Sequence, residues 1–248
     1  MLNAKSLLII CFLVVCFAIM KAPASLIERI VNNESQNLIQ FSSPTGTVWQ
    51  GTGIIKINNS LDSTISWSLP LLDILKLKPK ILWNMESPTL ILDGESVILM
   101  GEAETRAKGK IASGQLNKIF APYDVLLGGD LLIKTISITN KLNENFLITN
   151  LTGDLHWTGG PVSYVLSKTS VTVKSPVFQL KLSNQIKGVI QAILNSPNYD
   201  YPLMKAKLEP KGILKIQVSK GFTKIFGNEW PGRESDDQFI LELEERIF

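Results

Sequence analysis

The residues with the strongest claim to chemistry are few: one histidine, His156, the close acidic pairs Glu102/Glu104 and Asp236/Asp237, and two glycine-rich stretches, "TGTVWQGTG" (45–53) and "TGDLHWTGG" (152–160). A histidine acting as general base needs a nucleophile and an orienting partner at fixed geometry. His156 lies between Leu155 and Trp157 with no serine elbow around it, so it reads as a strand residue, and alone it is a poor metal site. The acidic pairs read as solvated strand edge and loop, and nothing selects two carboxylates for glycosidase-type chemistry. Neither glycine stretch has the spacing of a phosphate loop, and neither contains a Lys or Arg. The sequence therefore offers no catalytic, cofactor-binding or metal-binding residues.

Strands account for the glycine stretches better. Alternation puts Trp49 and Gly51 on one face, and Gly153, Leu155, Trp157 and Gly159 on one face with Asp154, His156 and Thr158 opposite. An indole can lie over a glycine, covering exposed backbone where a sheet bends. The two stretches then mark equivalent places in two similar sheet halves, about 40–150 and 151–248. Trp49, Gly51, Trp67, Trp157 and Gly159 become structural residues, and Trp230, in the turn-rich "FGNEWPGRESDDQ", a loop tryptophan suited to partner contact or to burial under its loop.

The elements that must hold these residues are mostly strands. Period-two patterns run through "TISWSLP", "KILWN", "TLILDG" with Asp93-Gly94 as a hairpin turn, "GEAETRAKGK", "GGDLLIKTISITN", "ENFLITNLTGDLHW", "SVTVKS", "VFQLKL", "ILKIQV" and "QFILELE". Helical spacing appears in "PLLDILKL", in "GQLNKIFAPY" up to Pro122, and in "NQIKGVIQAILN", capped by Asn184 with Ile186, Val189, Ile190, Ile193 and Leu194 on one face. The expected fold is mainly β: a curved antiparallel sheet, as sandwich, groove or half-barrel, with a few short helices. A closed outer-membrane barrel conflicts with the charged "ELEERIF" end.

At the N-terminus, "SLLIICFLVVCFAIM" (6–20) is uncharged and flanked by Lys5 and Lys21. It suits either a signal peptide cleaved near Ala22-Pro23-Ala24 or an uncleaved anchor. Its fifteen residues span about 22 Å, short of a hydrocarbon core of about 30 Å, a gap that snorkelling lysines can bridge. After it, "SLIERIVNN" forms an amphipathic helix or linker over 25–39. Both cysteines, Cys11 and Cys16, lie in the apolar segment, leaving the rest of the 248 residues without disulfide or thiol chemistry. A net charge of +3 with scattered lysines gives no nucleic-acid footprint.

Taken in order, the apolar segment leading to Pro23-Ala24, "GTVWQG" (46–51), "ISWSLPLLDIL" (65–75) and "LTGDLHWTGG" (151–160) resemble the type II secretion system protein N family of Gram-negative bacteria. The resemblance implies an accessory inner-membrane subunit of that protein-secretion apparatus. It would have residues 1–5 in the cytoplasm, a transmembrane anchor at 6–24 and a periplasmic β-rich domain at 40–248. Its partners would be the other inner-membrane subunits, and the family carries no catalytic residues onto this chain. The alternative, drawn from the residues alone, is a membrane-anchored periplasmic module that binds lipid or another hydrophobe on a curved apolar sheet face.

Overall fold

The computed structural model describes residues 4–34, 39–57, 61–70, 73, 78–141, 148–166, 168–184, 188–227 and 230–246. The chain is mainly β, with antiparallel sheet pairing and, among the described residues, no closed sheet. It divides into two compact units, Met1–Ser87 and Pro88–Phe248.

The first unit opens with α1 (Ala4–Met20), seventeen residues long. At 1.5 Å per residue it reaches about 26 Å. Among the described residues no helix is long and apolar enough to cross a membrane, so the expected transmembrane helix over 6–24 is not supported. The helix stops at Met20 because Pro23 cannot continue it; Pro23 instead bridges Thr47, and the Val48 N–H donates to the Ala22 carbonyl at 3.0 Å. α2 (Ser25–Glu34) follows and covers the expected "SLIERIVNN" helix, and Ile39 already lies in a strand. The Asn32 amide clamps β1, accepting from the Phe41 N–H at 2.7 Å and donating to the Phe41 carbonyl at 3.0 Å.

Strands β1 (Ile39–Gly46), β2 (Gln50–Ile57), β3 (Leu61–Ser68) and β4 (Lys80–Ser87) pair in sequence order. Their register places Gly51, Trp67 and Trp83 in one row and Gly53, Ile65 and Met85 in the next. The expected helix over 70–77 falls almost wholly outside the described residues.

In the second unit, β5 (Leu90–Leu99), β6 (Glu102–Ile111), β8 (Leu131–Lys141), β9 (Ile148–Trp157), β12 (Phe178–Ser183), β13 (Ile190–Asn195), β14 (Met204–Leu208), β15 (Ile213–Ser219) and β16 (Phe239–Arg246) form one antiparallel run in that order. A three-stranded sheet, β11 (Thr169–Ser175), β10 (Gly160–Leu166) and β7 (Leu126–Leu127), accompanies it with α3 (Ser113–Phe120) and α4 (Lys220–Ile225).

Cross-strand register sorts the large sheet into two chemically distinct faces. One carries the rows Leu131–Trp157–Phe178, Leu155–Leu180–Leu194–Met204 and Gly153–Leu182–Ala192–Ala206–Ile216–Leu243. The other carries Asp154–Lys181–Ile193–Lys205–Gln217–Glu242 and Gln191–Lys207–Lys215–Glu244. Period-two alternation of apolar and charged residues forces this separation.

Two readings are corrected here. Residues 190–195 form β13, not the C-terminal part of a helix over 184–195. Their i, i+3, i+4 apolar spacing is real, but pairing on both sides with β12 and β14 outweighs local propensity, and Gly188 at φ +76° interrupts a helical path. Asp93-Gly94 is not a turn: it lies inside β5 opposite Lys108 and Ala107, while Met100 and Gly101, both at positive φ, make the β5–β6 connection.

Candidate functional site

The second unit contains an apolar cavity of about 640 Å³. Its floor is the apolar face of β8, β9, β12, β13 and β14, contributing Leu131, Leu155, Trp157, Leu180, Leu194 and Met204. Its roof comes from Leu116 and Phe120 of α3, Tyr123, Leu127 of β7, and Val162 and Tyr164 of β10. Phe222 and Phe226, one helical turn apart at α4, close one side together with Phe178.

Aromatic stacking holds the closed side together. Trp157 stacks on its cross-strand neighbour Phe178 with centroids 5.5 Å apart and planes at 25°. Phe178 meets Phe222 and Phe226 at 6.1 and 6.4 Å, and those two rings lie 4.8 Å apart. The Tyr164 hydroxyl donates to the Phe226 carbonyl at 2.5 Å, tying β10 to the end of α4. Ser219 caps α4 by accepting from the Phe222 N–H at 3.2 Å, which fixes where both phenylalanines point.

The roof is anchored at α3. Its N-cap residue, Ala112, has no side chain to offer, and a carboxylate from the chain just before β8 substitutes. Asp130 Oδ1 accepts from the Ser113 N–H at 3.0 Å, and Oδ2 lies 2.7 Å from Lys110 Nζ. The Lys110 ammonium first, then the Ser113 N–H, hold this carboxyl below its ordinary range. A carboxyl whose pKa is lower folded than unfolded stabilises the fold above its unfolded pKa, and that contribution disappears as pH falls through the folded value. Asp130→Ala should therefore cost about 1–2 kcal/mol at neutral pH. In urea unfolding, the gap between wild type and variant should close as pH drops below about 4; a gap independent of pH would exclude this role.

The polar trio lies on the opposite face of β9. His156 Nε2 is 2.9 Å from Asp154 Oδ1 and 3.1 Å from Gln179 Nε2, and Gln179 Nε2 donates to Asp154 at 3.2 Å. Burial pushes the Asp154 carboxyl up, but the Gln179 amide and the His156 ring outweigh it and leave the carboxyl below its usual range. The ring nitrogen donates to Asp154 when it carries a proton and accepts from Gln179 when it does not. The hydrogen bonds that hold the trio link its three members to one another.

The other residues singled out in the sequence separate. Gly51 is covered by an indole, but by that of Trp67 across the strand pair; the Trp67 ring in turn meets Phe41 edge-on at 5.8 Å. Trp157 covers Gly129, not Gly159. Gly159 sits at φ +76° in the β9–β10 connection, where a side chain would press on Ser175 and Pro176. Trp49, half-buried between β1 and β2, donates from Nε1 to the Ile19 carbonyl at 2.9 Å, a tie between the sheet and α1. Trp230 is 37% exposed in its loop. Of the six structural and interaction candidates, Trp49, Gly51, Trp67, Trp157, Gly159 and Trp230, only Trp157 lines the cavity. The lining residues Phe178, Phe222 and Phe226 were not singled out in the sequence, although Ser219 followed by phenylalanines four apart is a readable helix start.

The site thus defines an open-sheet β protein with an apolar cavity that is partly open to solvent. No protein-family model matches the chain, and neither a curated protein nor a solved structure matches it.

Proposed function

We propose that this protein is a non-catalytic, membrane-associated binding module whose ligand is a lipid-like hydrophobe. The observation that carries the reading is the cavity: about 640 Å³, within the range of small-molecule sites, with hydrocarbon and aromatic rings for almost all of its lining. The row through Ala192, Ala206 and Ile216, half-buried on the same side of the sheet, extends the apolar surface beyond the cavity floor. A ligand here gains by leaving water and meets few polar groups to select a headgroup.

Membrane association is supported by α1. From Leu8 to Met20 its side chains are apolar and nearly all exposed, and a helix apolar on every side needs a hydrocarbon or protein environment. Titrating the full-length protein with an environment-sensitive naphthylamine dye, then displacing it with a long-chain fatty acid, tests the reading. Saturable binding and displacement are expected; a response no larger than that of the detergent alone would overturn it.

A second reading places the module in the type II secretion apparatus as an accessory inner-membrane subunit with its β-rich part in the periplasm. It is favoured by the role of the "GTVWQG" stretch, whose Trp49 fastens the end of α1 to the sheet and whose Gly51 lies beneath Trp67 of the "ISWSLP" stretch. Three of the four stretches that carry the family resemblance thus meet in one junction. Deleting the chain from its host should reduce release of secreted enzymes into the medium, and undiminished release would contradict this assignment.

A further inference from the structure

Among the described residues the sheet of the second unit ends at β16, which pairs with β15 alone. From Leu241 to Arg246 the pairing has no bulge, its one irregularity falling between Val218 and Ser219. From Phe239 to Glu245 the strand thus presents outward backbone N–H and C=O groups in position to pair with another strand.

The side chains of β16 specify what could pair there. Leu241 and Leu243, 38% and 60% exposed, continue the apolar rows through Val218 and Ile216. Glu242 and Glu244 continue the polar rows through Gln217 and Lys215, with Glu244 3.3 Å from Lys215 Nζ. A second copy of β16 is a poor partner. Antiparallel self-pairing centred on residue 242 sets Glu242 against Glu242, and self-pairing centred on residue 243 sets Glu242 against Glu244. Like charges directly opposed across strands destabilise the pair.

We infer that the outer edge of β16 receives a β-strand from another protein, one alternating apolar residues with lysine or arginine. The apolar side chains lie beside Leu241 and Leu243, and the basic ones beside Glu242 and Glu244. The added strand lengthens the apolar face by one strand, about 4.8 Å. The inference stands on the strand edge alone and does not depend on what the cavity holds.

The test uses fluorescent nine-residue peptides and the full-length protein in detergent. A peptide alternating valine and lysine should bind at least about ten-fold more tightly than one alternating valine and glutamate. N-methylation of every second residue, which removes the N–H donors, should abolish binding, and the double variant Glu242→Lys/Glu244→Lys should reverse the preference. A photoreactive residue at Leu243 should capture the lysine peptide. Equal binding of both peptides, survival of binding after N-methylation, an unchanged preference in the double variant, or dimers formed through β16 without peptide would each overturn the inference.

Discussion

Trp157→Ala should be among the most destabilising single truncations in the second unit, at about 3–5 kcal/mol. The indole ends β9, is only 9% exposed, stacks on Phe178 and packs with Leu116, Val162 and Leu203 in the buried cluster. Its loss forfeits apolar burial and also leaves the floor, the roof and α4 facing an enlarged void. Trp157→Phe should retain most of the stability, because the Nε1–H has no hydrogen-bond partner to lose. Trp49→Ala provides the contrast. That ring is only half-buried, and its specific contribution is one hydrogen bond to the end of α1, worth about 1 kcal/mol. Urea unfolding of the three variants checks the order, and a Trp49→Ala loss equal to that of Trp157→Ala would contradict it.

The second large effect concerns binding. Leu194→Trp/Met204→Trp adds two indoles to the floor of the cavity, from adjacent strands where residues 194 and 204 are directly paired. Volume added there occupies ligand space more than core space, because both residues are only partly buried. Dye affinity should fall by about a hundred-fold, or roughly 2.7 kcal/mol, while the melting temperature stays within a few degrees of wild type. An affinity unchanged by the double variant would place the binding surface elsewhere.

Much of the sheet was legible in the sequence because period-two alternation is a local signal. "TISWSLP" and "ILKIQV" form strands, and Leu155 and Trp157 are buried while Asp154 and His156 share the other face, as alternation requires. The tryptophan-over-glycine idea was right in kind but wrong in partner. Which indole covers which glycine depends on cross-strand register and on a loop approaching from elsewhere, and neither is encoded within nine residues. Residues 190–195 misled because Ile190, Ile193 and Leu194 fit a helical stripe, and only the neighbouring strands decide the outcome. An apolar binding face on the sheet was an expectation, but most of the cavity's lining could not be assigned, for the same reason. Its lining comes from residues as far apart as Leu116 and Phe226, each of which reads locally as an ordinary core residue.

The central claim is that the apolar cavity holds a lipid-like molecule, and native mass spectrometry of the full-length protein released from its own membranes tests it most directly. The account predicts a bound lipid mass on the wild-type protein that is absent from Leu194→Trp/Met204→Trp. Bare protein in both samples, or the same lipid retained by both, would contradict it.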